Sequence, residues 1–146
     1  MKLKIVWIGK TKSSAIQSLT DEYLQRLRHY ADVEGKAVRD TAALLSAHGP
    51  ESRARSSLVI LDSRGKQFAS EELAKFLGDY QAQNPLPLVF AVGAADGIPE
   101  DACRKATLLL SLGKMTLAHE LARVVLLEQL YRAFTILKGH PYHLGH

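Results

Sequence analysis

Residues 86–97 read Leu86-Pro87-Leu88-Val89-Phe90-Ala91-Val92-Gly93-Ala94-Ala95-Asp96-Gly97. The run from Leu86 to Val92 is short, apolar and uninterrupted by charge, the pattern of a strand buried on both faces. The glycine-bounded segment from Gly93 to Gly97 predicts a tight turn. Pro99 suits the first turn of a helix extending to about Thr107. A buried strand, a turn and a helix in succession form the building unit of a parallel α/β sheet.

The same alternation recurs in both directions from this stretch. Leu3 to Ile8 predicts a strand ending at Gly9, and Ser13 or Ser14 is placed to cap the next helix. Ile16, Leu19, Tyr23, Leu27 and Tyr30 recur along it at helical spacing. Residues 31–38 predict a weak strand. Residues 40–55 are polar, with a short helix near 41–47 and a loop at Gly49-Pro50. Ser57 to Leu61 predicts a buried strand and Asp62-Ser63-Arg64-Gly65 a turn. Ser70 then opens a helix with Leu73, Phe76, Leu77 and Tyr80 inward. Leu108 to Leu112 predicts the last strand. His119 to Lys138 predicts a long helix stopped by Gly139 and Pro141. The expected fold is one α/β domain over residues 1–146, a mostly parallel sheet with helices on both faces.

Bulk properties narrow the function. Of 146 residues, 19 are basic and 15 acidic, a net charge of +4 that permits a polyanionic partner without requiring one. The single cysteine, Cys103, excludes an internal disulfide and reads as a core filler. The apolar start is too short for a signal peptide, and no stretch approaches the roughly twenty apolar residues of a membrane span. A soluble, cytoplasmic protein without membrane contact is expected.

In open parallel sheets ligands bind beyond the carboxyl ends of the strands. Three loops fall there. The first follows Leu61, where Asp62 can accept hydrogen bonds and Arg64 and Lys66 can meet phosphates. The second is the Gly93 turn, which lets backbone approach a ligand closely; it is not a dinucleotide fingerprint. The third is Leu112-Gly113-Lys114-Met115-Thr116-Leu117, whose main chain can read the edge of an adenine. The helix after it is apolar on more than one side, which proposes a homodimer. Arg123, Glu128 and Arg132 lie within it, spaced to pair with one another or to face a site. In the tail, His140 and His143 lack the companions of a zinc site, so no metal is expected. Tyr142 and His143 suit acid–base or RNA-contact chemistry instead.

The run from Ser111 to Phe134, SLGKMTLAHELARVVLLEQLYRAF, resembles the signature of the ribosomal RNA large subunit methyltransferase H family, within the SPOUT (α/β-knot) methyltransferases. The ending Gly139-His140-Pro141-Tyr142-His143, the Leu61-Asp62 and Gly65-Lys66 pairs and the Gly93 loop match the same family. The resemblance implies a C-terminal trefoil knot and a homodimer. It also implies methylation, by S-adenosylmethionine (SAM), of N3 of a pseudouridine in 23S rRNA of the assembled ribosome. It places cofactor contacts on Leu61, Gly93, Leu112, Gly113, Lys114, Met115, Thr116 and Leu117, and the catalytic tail on Tyr142 and His143. Two rival readings stand beside it: a SPOUT enzyme with another RNA target, and a ribosome-binding module of the same fold without catalysis.

Overall fold

The computed structural model describes residues 1–46 and 57–144, with the side chains of His143 and Leu144 outside the description. The strands are β1 (Lys2–Ile8), β2 (Asp32–Val38), β3 (Ser57–Gln67), β4 (Leu88–Val92) and β5 (Leu108–Ser111). The helices are α1 (Ser14–Leu27), α2 (Thr41–Ser46), α3 (Ser70–Gln83), α4 (Glu100–Cys103) and α5 (His119–Lys138), followed by a 3-10 turn at Pro141–Leu144. The strands form one sheet in the order β2-β1-β4-β3-β5, and every pairing is parallel. The α/β expectation holds, and all strand carboxyl ends therefore lie along one edge.

Period-two alternation divides the core. On one face Ile5, Trp7, Val59, Phe90 and Val92 meet Leu27 of α1, Leu77 of α3, and Leu126, Leu130 and Phe134 of α5. On the other, Val6, Leu58, Ile60, Val89 and Ala91 meet Leu44 of α2 and Ala102 and Cys103 of α4. Cys103 is thus buried in the core. Burying one large apolar side chain contributes about 1.5–3 kcal/mol relative to leaving it exposed. The face covered by three long helices therefore carries most of the apolar stabilisation. β4, the stretch that anchors the sequence reading, is the central strand and is buried at all five positions.

Helix ends follow local chemistry. The Ser13 side chain accepts the Ile16 N–H at the start of α1, and the Glu72 carboxylate accepts the Ala69 N–H at the start of α3. Gly139 closes α5, as expected.

Four expectations need correction. The predicted turn at Asp62–Gly65 lies inside β3: Leu61 and Lys66 both pair with Leu110, so the intervening residues bulge out without ending the strand. Close approach permits this, since a Cβ on Gly65 would lie 2.5 Å from the Leu109 carbonyl carbon. The helix after Pro99 stops at Cys103, well short of Thr107, and Pro99 is its cap. In α1, Leu19 faces outward, and Thr20 and Leu24 join Leu27 in the core; Thr20 is accommodated because its hydroxyl donates to the Ile16 carbonyl. The last strand ends at Ser111, leaving Leu112 to the loop. The predicted loop at Gly49-Pro50 and the end of the short helix at Ala47 lie outside the described residues.

Candidate active site

The parallel sheet brings the three flagged loops to one edge, where they enclose a cavity of about 490 Å³. Leu61, Asp62 and Ser63 come from the β3 bulge, and Val92 to Ala95 with Gly97 from the end of β4 and its turn. Ser111 to Gly113, Thr116, Leu117 and the first turn of α5, including His119 and Ala122, complete the lining.

Each wall has a local cause. The turn after β4 is pinned by the Gly97 N–H donating to the Ala94 carbonyl. A Cβ on Gly93 would sit 2.7 Å from Ile98 Cγ1, so only glycine fits against the buried Ile98. The third loop leaves β5 through Ser111, whose hydroxyl donates to the Gly113 carbonyl and accepts the Gly113 N–H. Gly113 has φ of +140°, a conformation that side chains disfavour. Beyond it, the main-chain N–H groups of Lys114 to Leu117 have no hydrogen-bond partner among the described residues. They are free donors beside an apolar cavity, a combination suited to a flat heteroaromatic ligand.

The β3 wall carries a fixed charge. Asp62 takes a bidentate pair from Arg64 at 2.9 and 3.0 Å and also the Arg64 main-chain N–H. The Cys103 thiol donates to it at 3.6 Å. The Arg64 hydrogen bonds lower the Asp62 pKa to about 2, so the carboxylate stays ionised at the cavity wall. Burial and the same carboxylate raise the Cys103 pKa. Lys66, weighed as a phosphate contact, lies over the Phe68 ring at 5.3 Å.

Of the expected cofactor residues, Leu61, Gly93, Leu112, Gly113, Thr116 and Leu117 line this cavity together. The Lys114 and Met115 side chains do not; Met115 is 86% exposed. Tyr142 lies elsewhere. Its hydroxyl donates to Glu128 at 3.2 Å and meets the Tyr23 hydroxyl at 3.5 Å. Its ring stands edge-on to Tyr131 at 4.7 Å, under the Arg132 guanidinium. Burial, the Tyr23 hydrogen bond and the Glu128 charge push its pKa up, so the phenol remains a donor at neutral pH. Along the α5 axis, Glu128 is ~9 Å from Ala122 at the cavity. His143 lies in the same 3-10 turn, and its side chain is outside the described residues.

Helical spacing resolves the α5 charges. Arg132 pairs with Glu128. Arg123 is 2% exposed; its Nη2 donates to the Thr11 hydroxyl at 2.8 Å, and its guanidinium lies 4.4 Å from the Trp7 ring centroid. Sequence reasoning did not single out His119 or Ala122 as lining residues. Their signal was present, since they open the helix that leaves the third loop.

A family model described as "Predicted SPOUT methyltransferase" matches residues 1–143. A curated relative from Koribacter versatilis (strain Ellin345), ribosomal RNA large subunit methyltransferase H, is 57% identical over the full length of both chains. The chain belongs to the ribosomal RNA large subunit methyltransferase H family. A second member of that family, from Gloeobacter violaceus, is 42% identical over 99% of this chain and all of its own length. Solved structures extend the likeness of fold. A structure described as that of "a probable methylase family protein" from Haemophilus influenzae Rd KW20 aligns with a TM-score of 0.60 at 17% identity, covering 95% of this chain and 69% of that one. The SpoU methyltransferase AviRb from Streptomyces viridochromogenes, solved with AdoMet, aligns at 0.54 and 12% identity, covering 90% and 57%. Like these SPOUT folds, this member of the large subunit methyltransferase H family is an α/β protein. No helix among its described residues is long and apolar enough to cross a membrane.

Proposed function

We propose that the chain transfers a methyl group from SAM to N3 of a pseudouridine in 23S rRNA, acting as a cytoplasmic homodimer on the assembled ribosome. The observation that carries this reading is the convergence of three loops on one cavity, in a chain that belongs to this family. The residues present fit the cofactor. The cavity lies within the ~300–1,000 Å³ usual for small-molecule sites. It joins apolar walls at Leu61, Leu112 and Leu117 to free main-chain donors at the third loop. The C-terminal knot implied by the family likeness belongs to the same proposal.

When bound, SAM supplies a methyl activated on a sulfonium. The chain supplies position and proton chemistry. Gly93 and Gly113 let main chain close on the ligand, the third loop meets an adenine edge, and the Asp62–Arg64 ion pair holds the β3 wall in place. His143 is assigned the proton leaving N3, and Tyr142 is assigned to hold the base through its ring. Because Tyr142 is fastened beside Glu128, away from its own cavity, the reading assigns each tail to the cavity of a second copy. Leu121, 44% exposed on α5, suits that dimer contact.

The test is methyl transfer from labelled SAM to unmodified ribosomes and to free rRNA, with the product nucleotide mapped. Labelling of ribosomes at pseudouridine N3 is expected. Transfer to another nucleotide overturns the target. Ribosome binding with no detectable SAM affinity by calorimetry favours the non-catalytic module.

A further inference from the structure

The loop between β1 and α1 is held by the helix that borders the cavity. Glu120 accepts the main-chain N–H groups of Lys12 and Ser13 at 3.2 and 3.4 Å. Those bonds lower the Glu120 pKa and keep the carboxylate on the main chain. One turn further along α5, Arg123 holds the Thr11 hydroxyl. These contacts cross more than one hundred residues of sequence, so they fix the loop against the first turns of α5, where His119 and Ala122 line the cavity.

Sheet register sets the loop's other neighbours. Trp7 pairs with Val92, which places the segment after β1 beside the Gly93 turn. The Gly9 N–H donates to the Val38 carbonyl at 2.7 Å, which places Lys10 beside Arg39. Lys10, Lys12 and Arg39 are all exposed. Neither lysine has an ion-pair partner among the described residues, and Arg39 meets only its neighbour Asp40, at 3.9 Å. Asp40 itself caps α2 through the Ala43 N–H. Lys10 and Lys12 thus stand on the braced β1–α1 loop at the carboxyl edge, and Arg39 stands on the adjoining segment after β2.

We propose that Lys10, Lys12 and Arg39 form a phosphate-contacting rim that grips the RNA backbone beside the methylated base, with Arg123 and Glu120 as positioning residues for its loop. The proposal rests on the reading of the chain as an rRNA methyltransferase and names part of its substrate surface. Lysine and arginine bind phosphate as cations without reading sequence, so the rim contributes affinity and register rather than base choice. Bracing lowers the ordering cost on binding. Each cation–phosphate contact displaces counterions, and binding should weaken with salt accordingly.

The test compares a triple variant, Lys10→Gln with Lys12→Gln and Arg39→Gln, against an equal charge change elsewhere, Lys2→Gln with Lys75→Gln and Lys105→Gln. Binding of the full-length protein to unmodified ribosomes is measured at several salt concentrations, and SAM affinity by calorimetry. The rim variant should lose affinity at least about tenfold, and its log–log salt slope should fall by roughly 2–3, near one for each phosphate contact removed. Its SAM affinity should be unchanged, and the control should bind ribosomes as wild type does. Wild-type affinity and slope in the rim variant, or an equal loss in the control, overturns the proposal. If the wild type binds ribosomes through the rim yet transfers no methyl group, the rim stands and the enzymatic reading fails.

Discussion

The loops at the carboxyl edge and the turn at the chain terminus were both expected to hold site residues, yet their structural situations differ. The loops converge because five parallel strands end on one line, so Leu61, Gly93 and Leu112 meet although far apart in sequence. The terminal turn is tied to the middle of α5 through Tyr142, Tyr131 and Glu128. One region is an open cavity lined by a single chain; the other is a docked arm whose Tyr142 hydroxyl meets Glu128 of α5 and Tyr23 of α1. Cofactor binding should therefore depend on the first region and turnover on the second.

The largest expected effect separates them. His143→Ala should lower methyl transfer by about 10²–10⁴-fold, the usual contribution of a general base, while SAM affinity stays unchanged. A wild-type rate would remove the tail from the chemistry. Gly93→Val should do the reverse. Its side chain must displace Ile98 from 2.7 Å, and ~1–3 kcal/mol of overpacking corresponds to a ~5–150-fold weaker SAM Kd by calorimetry. Unaltered binding would show that the turn after β4 does not shape the site.

Smaller effects sharpen the contrast. Tyr142→Phe should cost about 0.5–1.5 kcal/mol in denaturant unfolding through the lost Glu128 bond, without changing SAM affinity. Because the folded phenol has a raised pKa, its stabilisation is complete below the unfolded value of about 10 and declines as pH rises above it. The variant should show a flatter alkaline limb, and an unchanged limb would contradict the docking. At the cavity wall the sign reverses. The stabilisation from Asp62 is complete above its unfolded pKa of about 3.9 and is lost as pH falls through the folded value of about 2. Asp62→Asn should flatten acid unfolding in that window only.

Legibility in the sequence followed the range of the interactions. The stretch from Leu86 to Val92 announced the central strand, which starts at Leu88, because a strand buried on both faces needs apolar residues at every position. α5 was read to its observed C-terminal end, since the stop at Gly139 is local chemistry. The bulge at Asp62–Gly65 was misread as a turn, because the close backbone approach at Leu109 comes from a strand some forty residues away. Leu19 was misplaced because helical periodicity gives a stripe, whereas packing against the sheet decides its rotation.

By itself, the sequence determined the order of elements, the parallel α/β class, the three loops proposed to carry ligand chemistry and, through its C-terminal signature, the family. Only the tertiary structure decided that those loops share one cavity, that Met115 faces away while Asp62 is engaged by Arg64, and that Arg123 and Glu120 brace a cationic loop more than one hundred residues away. The physical reason is one of range. Caps, turns and periodicity act within a few residues and leave their mark in the chain, whereas strand register and the burial of a charged side chain depend on partners that only the folded sheet brings together.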